Sequence, residues 1–403
     1  MSLPHLTAGF LPLLDSALLV LAHELGIAED EGFTLGLTRE SSWANIRDRT
    51  ALGHFDMALV LAPMPIAANL GLTPIATPMI APVMTGLGNN AITVSAEIWA
   101  AMSDAGAPGD LAAGPAGKAL AQVVRTTPRK LRFGVVHQTS SHNYELRYWL
   151  AASGIRPDHD IEIVVLPPPL LPEALGAGGL DGYCVGEPWN SVGVARFGAR
   201  IATTKSNIWQ WSPDKAMGMR ADWAKQNPEL VAATIRAIYR AGLWCEKEEN
   251  RMEAARIMSA PAYLNQPVEI VARALTGQID GGTKIVSLSD FYVPHAGAAN
   301  FPWKSHALWY YSQMVRWGEV QPSRAKAEAA AATFRPDLYR EAVRSLGAAA
   351  PIDDYRREGD KGEAHLVPSS DGTVELGPNR FFDGGTFDPD AVDAYISAQT
   401  GNV

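Results

Sequence analysis

Leu131-Arg132-Phe133-Gly134-Val135-Val136 is an apolar run of strand length, and Thr139-Ser140-Ser141-His142-Asn143 follows it and opens a helical segment, His142–Ala152. A strand that leads through small hydroxyl residues into an amphipathic helix is the unit of a parallel α/β sheet. The same unit recurs on both sides. Upstream, Leu6–Leu11, Thr34–Arg39, Met57–Ala62 and Ile92–Ser95 read as strands. Between them lie helices at Asp15–Leu25, Ser42–Leu52 and Met64–Leu70, the first read as capped by Asp15 and ended at Gly26. Downstream, Ile161–Leu166, Tyr183–Val185 and Ala199–Thr204 read as strands of a second series.

Beyond Lys215 the character turns helical, with Asn227-Pro228 read as an N-cap and first helical residue, and Arg324–Thr333 as a further helix. From Ala348 to Asn379 the chain is rich in Gly, Pro, Asp and Ser, which predicts a surface-wrapping tail. Two successive α/β series with a return to the first predict a hinged, two-lobed α/β fold with a helical C-terminal extension. The expected division is 1–91 for the first part of lobe 1, 92–204 for lobe 2, 205–300 for the return, and 301–403 for the extension.

A chain of 403 residues exceeds one ordinary core. Its 47% hydrophobic and 19% charged content is that of a soluble globular protein. The net charge of −9 argues against a nucleic-acid grip, which needs clustered Lys and Arg. An acidic chain that binds an anion must place its cations locally. Cys184 and Cys245 form no disulfide framework, and no stretch approaches the roughly 18 apolar residues of a membrane span. The start, Met1-Ser2-Leu3-Pro4-His5, shows no basic n-region, apolar h-region or small-residue cleavage site, and reads as a cytosolic start; a trimmed periplasmic domain is the alternative.

Several motifs weigh little. Gly86-Leu87-Gly88-Asn89-Asn90-Ala91 matches a loose dinucleotide fingerprint but runs into a strand where that motif must open a helix. Gly182-Tyr183-Cys184-Val185-Gly186 imitates a nucleophile elbow, yet Cys184 falls on the strand and the turn at Gly186-Glu187. His137, His142 and Asp158-His159-Asp160 lack metal-ligand spacing, and Asp383–Asp390 lacks that of a calcium loop. No metal, no cofactor and no catalysis are therefore expected. Thr139–Asn143 carries more, because a helix N-terminus with free N–H groups suits an anion. Gly186-Glu187-Pro188-Trp189 is a second strand-to-helix corner in the same series.

Longer blocks point to a family. They are Ser42-Trp43 with Arg47-Asp48, Ala62-Pro63-Met64-Pro65, Arg147–Ala152, Val164–Pro169, Cys184–Asn190, Gly218–Trp223, Phe301–Ser305 with Arg316-Trp317-Gly318, and Phe381–Gly384. Together they resemble the nitrate- and bicarbonate-binding protein family of ABC transporters, over essentially the whole chain. The resemblance implies a periplasmic-binding-protein-like fold of type II. It also implies ligand contacts from Trp43, Asn90, His142, Gly186 and Lys215, with Ser141, Pro168 and Glu187 as secondary cleft positions. Asn90 stands where the family has glutamine, one methylene longer. Lys215 implies nitrate or nitrite, because bicarbonate-binding members place an acidic residue and a metal there.

The Ser140–Leu146 wording is similar to that of signal-less members. Those are cytoplasmic nitrate/nitrite sensors that hold an RNA-binding antitermination regulator inactive until ligand arrives. The alternative implied role is the periplasmic substrate-binding component of a nitrate transporter, with an ABC permease as partner.

Overall fold

The computed structural model describes residues 2–400. Ten strands make two five-stranded sheets: β1 (His5–Phe10), β2 (Thr34–Arg39), β3 (Met57–Leu61), β4 (Met79–Met84), β5 (Asn90–Val94), β6 (Leu131–Val135), β7 (Ile161–Val165), β8 (Gly182–Gly186), β9 (Arg200–Thr204) and β10 (Lys215–Arg220). The first sheet runs β2-β1-β3-β10-β4 and the second β9-β5-β8-β6-β7. β1 is parallel to β2 and β3, and β6 is parallel to β7 and β8. The strands beside the crossings run the other way. β10 lies antiparallel between β3 and β4, and β5 antiparallel between β9 and β8. The result is a mixed α/β molecule of two lobes. The chain leaves the first through residues 85–89 and returns through 205–214.

Those two segments run side by side. Thr85 N–H donates to Lys215 O at 3.0 Å, and Gly88 N–H to Ser212 O at 3.1 Å. Gly88 must be glycine: its φ is +83°, and a Cβ would stand 2.2 Å from Phe291 O.

Local chemistry sets the helix starts. Ser42 is extended and accepts from Asn45 N–H at 3.2 Å, opening α1 (Trp43–Ala51). Ser140 does the same for α2 (Ser141–Ala152), accepting from Asn143 N–H at 3.0 Å. Pro228 opens α3 (Pro228–Glu246), but Asn227 is no side-chain cap, because its Nδ2 donates back to Trp223 O at 2.9 Å. The sequence reading passed over β4 and β10. β4 is interrupted by Pro82, and both are buried along nearly their whole length, so neither shows an alternating pattern.

The tail departs most from expectation. Within 348–379 it forms an antiparallel hairpin, His365–Ser369 with Gly372–Leu376, and it buries Glu358 and Asn379 fully. Just beyond, Phe381 stacks on Trp209 with ring centroids 4.8 Å apart, and Trp209 packs on Trp309 at 4.6 Å. Trp309 belongs to α4 (Lys304–Arg316), which is buried on every residue from Ser305 onward. The helix is enclosed on every side although Gln313 and Arg316 keep unpartnered polar atoms, and the tail is part of what covers it. Among the described residues no helix is long and apolar enough to cross a membrane.

Candidate functional site

Lys215 is the first residue of β10, facing Leu61 of β3, with its side chain 1% exposed. Its ammonium pairs with the carboxylates of Asp214 and, at 3.2 Å, Asp15. It also lies 5.7 Å from the ring centroid of Trp43, the first residue of α1. Burial works against the charge, but the two carboxylates outweigh it and raise the Lys215 pKa. An ammonium has three N–H donors; Asp214 takes one by a hydrogen bond, while Asp15 is an ion-pair partner.

Unpartnered polar groups gather at this end of both lobes. Trp43 Nε1, both ring nitrogens of His142 and both amide atoms of Asn89 and of Asn90 are buried without hydrogen bonds. His142 is on the first turn of α2; burial, reinforced by Lys215, holds its pKa well below the ordinary value, so the ring is neutral. Asn90 begins β5 and pairs with Gly186 at the end of β8. A Cβ on Gly186 would stand 2.8 Å from Asp15 Oδ2 and 3.2 Å from Asn90 Oδ1. Trp43, Asn90, His142, Gly186 and Lys215, drawn from five segments and both lobes, thus converge.

The secondary positions divide. Ser141 Oγ donates to Asp214 Oδ1, tying the second lobe to the first. Glu187 is fully buried, accepts from Ser191 N–H at 3.1 Å through Oε2, and leaves Oε1 unpartnered. Its pKa is lifted by burial to about 7. Pro168 begins a 3-10 turn after β7, the edge strand two places from β8. It shares no hydrogen bond or ion pair with the cluster.

The lobes also meet through Leu14 N–H donating to Glu187 O at 2.8 Å and Trp189 Nε1 to Pro12 O at 2.9 Å. Behind the cluster, the Lys205 ammonium bonds Glu145 and, at 2.7 Å, Pro213 O.

Two members were not read from the sequence as site residues. Asp15 had been taken for a helix cap; it sits in the 3-10 turn Leu14–Ser16, the following helix has Ser16 at its cap position, and the carboxyl faces Lys215. Asp214, directly before Lys215, could have been noticed as an acid beside a candidate cation. It is held ionised, well below the usual carboxylate range, because Lys215, Lys205 and His142 overcome the penalty of burial. Burial pushes the Cys184 thiol on β8 well up, so it is no thiolate. Among the described residues no group of three or more His, Cys, Asp or Glu side chains is placed to hold a metal ion. The donor set, one ammonium with indole, imidazole and amide groups in a closed cleft, is of the kind that pairs with a small anion.

The sequence profile of the NMT1-like family matches residues 2–259. The chain is 33% identical over 400 residues to the nitrate/nitrite binding protein NrtA of Synechococcus elongatus, covering 97% of this chain and 85% of that one. It is 28% identical over 411 residues to the bicarbonate-binding protein CmpA of the same organism, covering 97% and 85%. Its fold superposes on the crystal structure of the periplasmic nitrate-binding protein NrtA from Synechocystis PCC 6803 with a TM-score of 0.85, at 27% identity and with 99% of each chain covered. The two-lobed chain with the buried Lys215 cluster is a member of the NMT1-like family, homologous to the NrtA and CmpA binding proteins.

Proposed function

We propose that this chain closes its cleft on a small flat oxyanion, nitrate or nitrite, and serves as the substrate-binding component of an import system. The observation that carries the reading is the fully buried Lys215 ammonium beside Trp43, with unpartnered donors converging on it from both lobes. Burying an anion costs several kcal/mol unless it is paired and hydrogen-bonded. Each charge-assisted hydrogen bond returns roughly 1.5–3 kcal/mol, so a few converging contacts suffice for binding near micromolar. Donors from both lobes favour the closed state by their differential affinity.

Lysine at this position supports nitrate or nitrite over bicarbonate, and the similarity to the NrtA nitrate/nitrite binding proteins supports the same choice. The Synechocystis protein's description as periplasmic supports that location, and the reading adds an ABC permease as partner and a binding role without catalysis. The sensor reading shares the cleft but adds an RNA-binding antitermination regulator as partner and a cytoplasmic location. It draws on the Ser140–Leu146 wording alone, and so comes second.

A thermal-shift panel of nitrate, nitrite, bicarbonate and sulfate tests the assignment. Nitrate and nitrite are expected to stabilise the chain by about 2.7 kcal/mol at 100 times their dissociation constants. Stabilisation by bicarbonate alone, or by none of the four, would refute it.

A further inference from the structure

Asp15 is a member of the cleft cluster to which the oxyanion reading assigns no role. Its Oδ2 has the Lys215 ammonium 3.2 Å away and no hydrogen bond of its own. The same oxygen faces the bare Cα of Gly186, close to the Asn90 amide. Asp15 therefore looks into the space that the proposed ligand contacts surround.

The charges do not yet balance for an anion. One ammonium already faces two carboxylates, and a monovalent anion would set three negative charges against one positive where the Lys215, Asp15 and Asp214 side chains are at most 3% exposed. Burying an uncompensated charge is costly, and the usual relief is protonation. Asp214 is poorly placed to accept a proton, since Ser141 Oγ and Lys215 Nζ both donate to it and Lys205 lies behind. His142 has burial and both lysines against its charge. Of the remaining titratable groups that feel Asp15, Tyr292 is a buried phenol, and Glu187 is held on Oε2 by Ser191. Glu187 Oε1 and Glu145 Oε2 are unpartnered as well, but Asp15 Oδ2 is the open oxygen that stands beside Lys215, Gly186 and Asn90.

We propose that the cleft takes its oxyanion together with one proton from solvent, which settles on Asp15 and turns that carboxyl from a repelling acceptor into a hydrogen-bond donor toward the anion. The proposal deepens the oxyanion reading and rests on it. The balance is simple: the anion and one hydronium ion enter, one hydronium O–H breaks as one O–H forms on Asp15, and one water leaves. Burial, aided by Asp214 and opposed by Lys215, already lifts the Asp15 pKa to about 6, so an arriving negative charge has only a short way to push it past neutrality. A dianion such as sulfate would require a second proton, which gives the pocket a basis for preferring monovalent anions.

The test is calorimetric titration of the full chain with nitrate and nitrite at pH 8, in Tris and in HEPES, whose ionisation enthalpies differ. About one proton is expected to be taken up per anion, with affinity falling close to tenfold per pH unit between pH 7 and 8. Asp15→Asn, which keeps the size and supplies a permanent donor, is expected to bring the uptake near zero and to flatten affinity from pH 6 to 8. Binding without proton uptake overturns the proposal and leaves the oxyanion reading standing. Uptake that persists in Asp15→Asn places the proton elsewhere and also overturns it. Failure of both anions to bind at any pH overturns the oxyanion reading itself. If Asp15→Asn does not fold, the infrared difference spectrum of the native chain on adding nitrate at pH 8 decides: a protonated-carboxyl C=O band that persists in both Glu187→Gln and Glu145→Gln supports the proposal, and its absence from the native chain or its loss in either variant refutes it.

Discussion

Under the C-terminal tail the buried Glu358 carboxylate receives Ser305 Oγ at 2.9 Å, Arg356 Nε at 3.1 Å and Asn379 Nδ2, with His306 Nε2 at 3.3 Å. Asn379 Oδ1 in turn receives Trp209 Nε1 at 2.9 Å. The cleft holds a cluster of similar depth whose indole, imidazole and amide groups have no partners at all. Both regions bury ionised groups, and both draw residues from distant parts of the chain. The difference lies in who completes them. A carboxylate whose oxygens are filled by its own chain fixes a structure, even with His306 Nδ1 beside it unpartnered, while a cluster left open between two lobes is, in the oxyanion reading, completed by something that arrives.

The comparison can be broken first at the tail. Glu358→Ala strands Arg356 and Asn379, and is expected to cost about 3–5 kcal/mol in chemical denaturation, with anion affinity of the folded protein unchanged. An equal loss of binding would erase the contrast.

The next effect is one of pH. Burial raises Glu187 from an ordinary 4.5 to about 7, so the folded state holds its proton more tightly than the unfolded state. Its contribution is fully present below about pH 4.5 and is lost as pH rises through 7, on the order of 3 kcal/mol at 1.36 kcal/mol per unit. Unfolding curves for Glu187→Gln between pH 4.5 and 8 are expected to lose that slope.

Lys215→Met is expected to weaken nitrate binding by about 1.5–3 kcal/mol, at least tenfold by calorimetry. It should destabilise the chain less than Glu358→Ala, because Asp15 can take up a proton. The smallest effect is that of Trp43→Phe, which keeps a ring beside the ammonium and removes the indole donor. A few-fold loss of affinity, about 1 kcal/mol, is expected. An unchanged constant would mean that Trp43 only packs.

The sequence carried the fold further than it carried the site. Strand-to-helix units such as Leu131–Ala152 announce themselves, because an apolar run, a capping serine and an amphipathic helix are all local signals. β10 does not, since Lys215-Ala216-Met217-Gly218-Met219-Arg220 lies between two strands and has no polar face to alternate with. His142 entered within a helix start suited to an anion, and resemblance to a family gave Trp43, His142 and Lys215 their roles, but nothing in their own neighbourhoods showed that they meet. Asp15 illustrates why. An acid just before a helix is an ordinary cap, and only the return of the chain 200 residues later brings Lys215 to it. The tail misled for the complementary reason. Polar, glycine-rich sequence describes the outer turns of 348–379, while its anchoring groups, Glu358 and Asn379, are single residues with no period.

The lacing of the tail has a mechanical meaning. Phe382 N–H donates to Ile208 O and Gln210 N–H to Arg380 O, both at 2.9 Å, so residues 380–382 are stitched like an added strand along the returning interlobe segment. One of the two tethers between the lobes is thereby splinted, and Phe381 stacks on Trp309 behind it. The other tether, residues 85–89, is laced as well, through the pairing of Leu87 and Gly88 with Val293 and Tyr292, so each crossing between the lobes is backed by a segment from outside the two sheets.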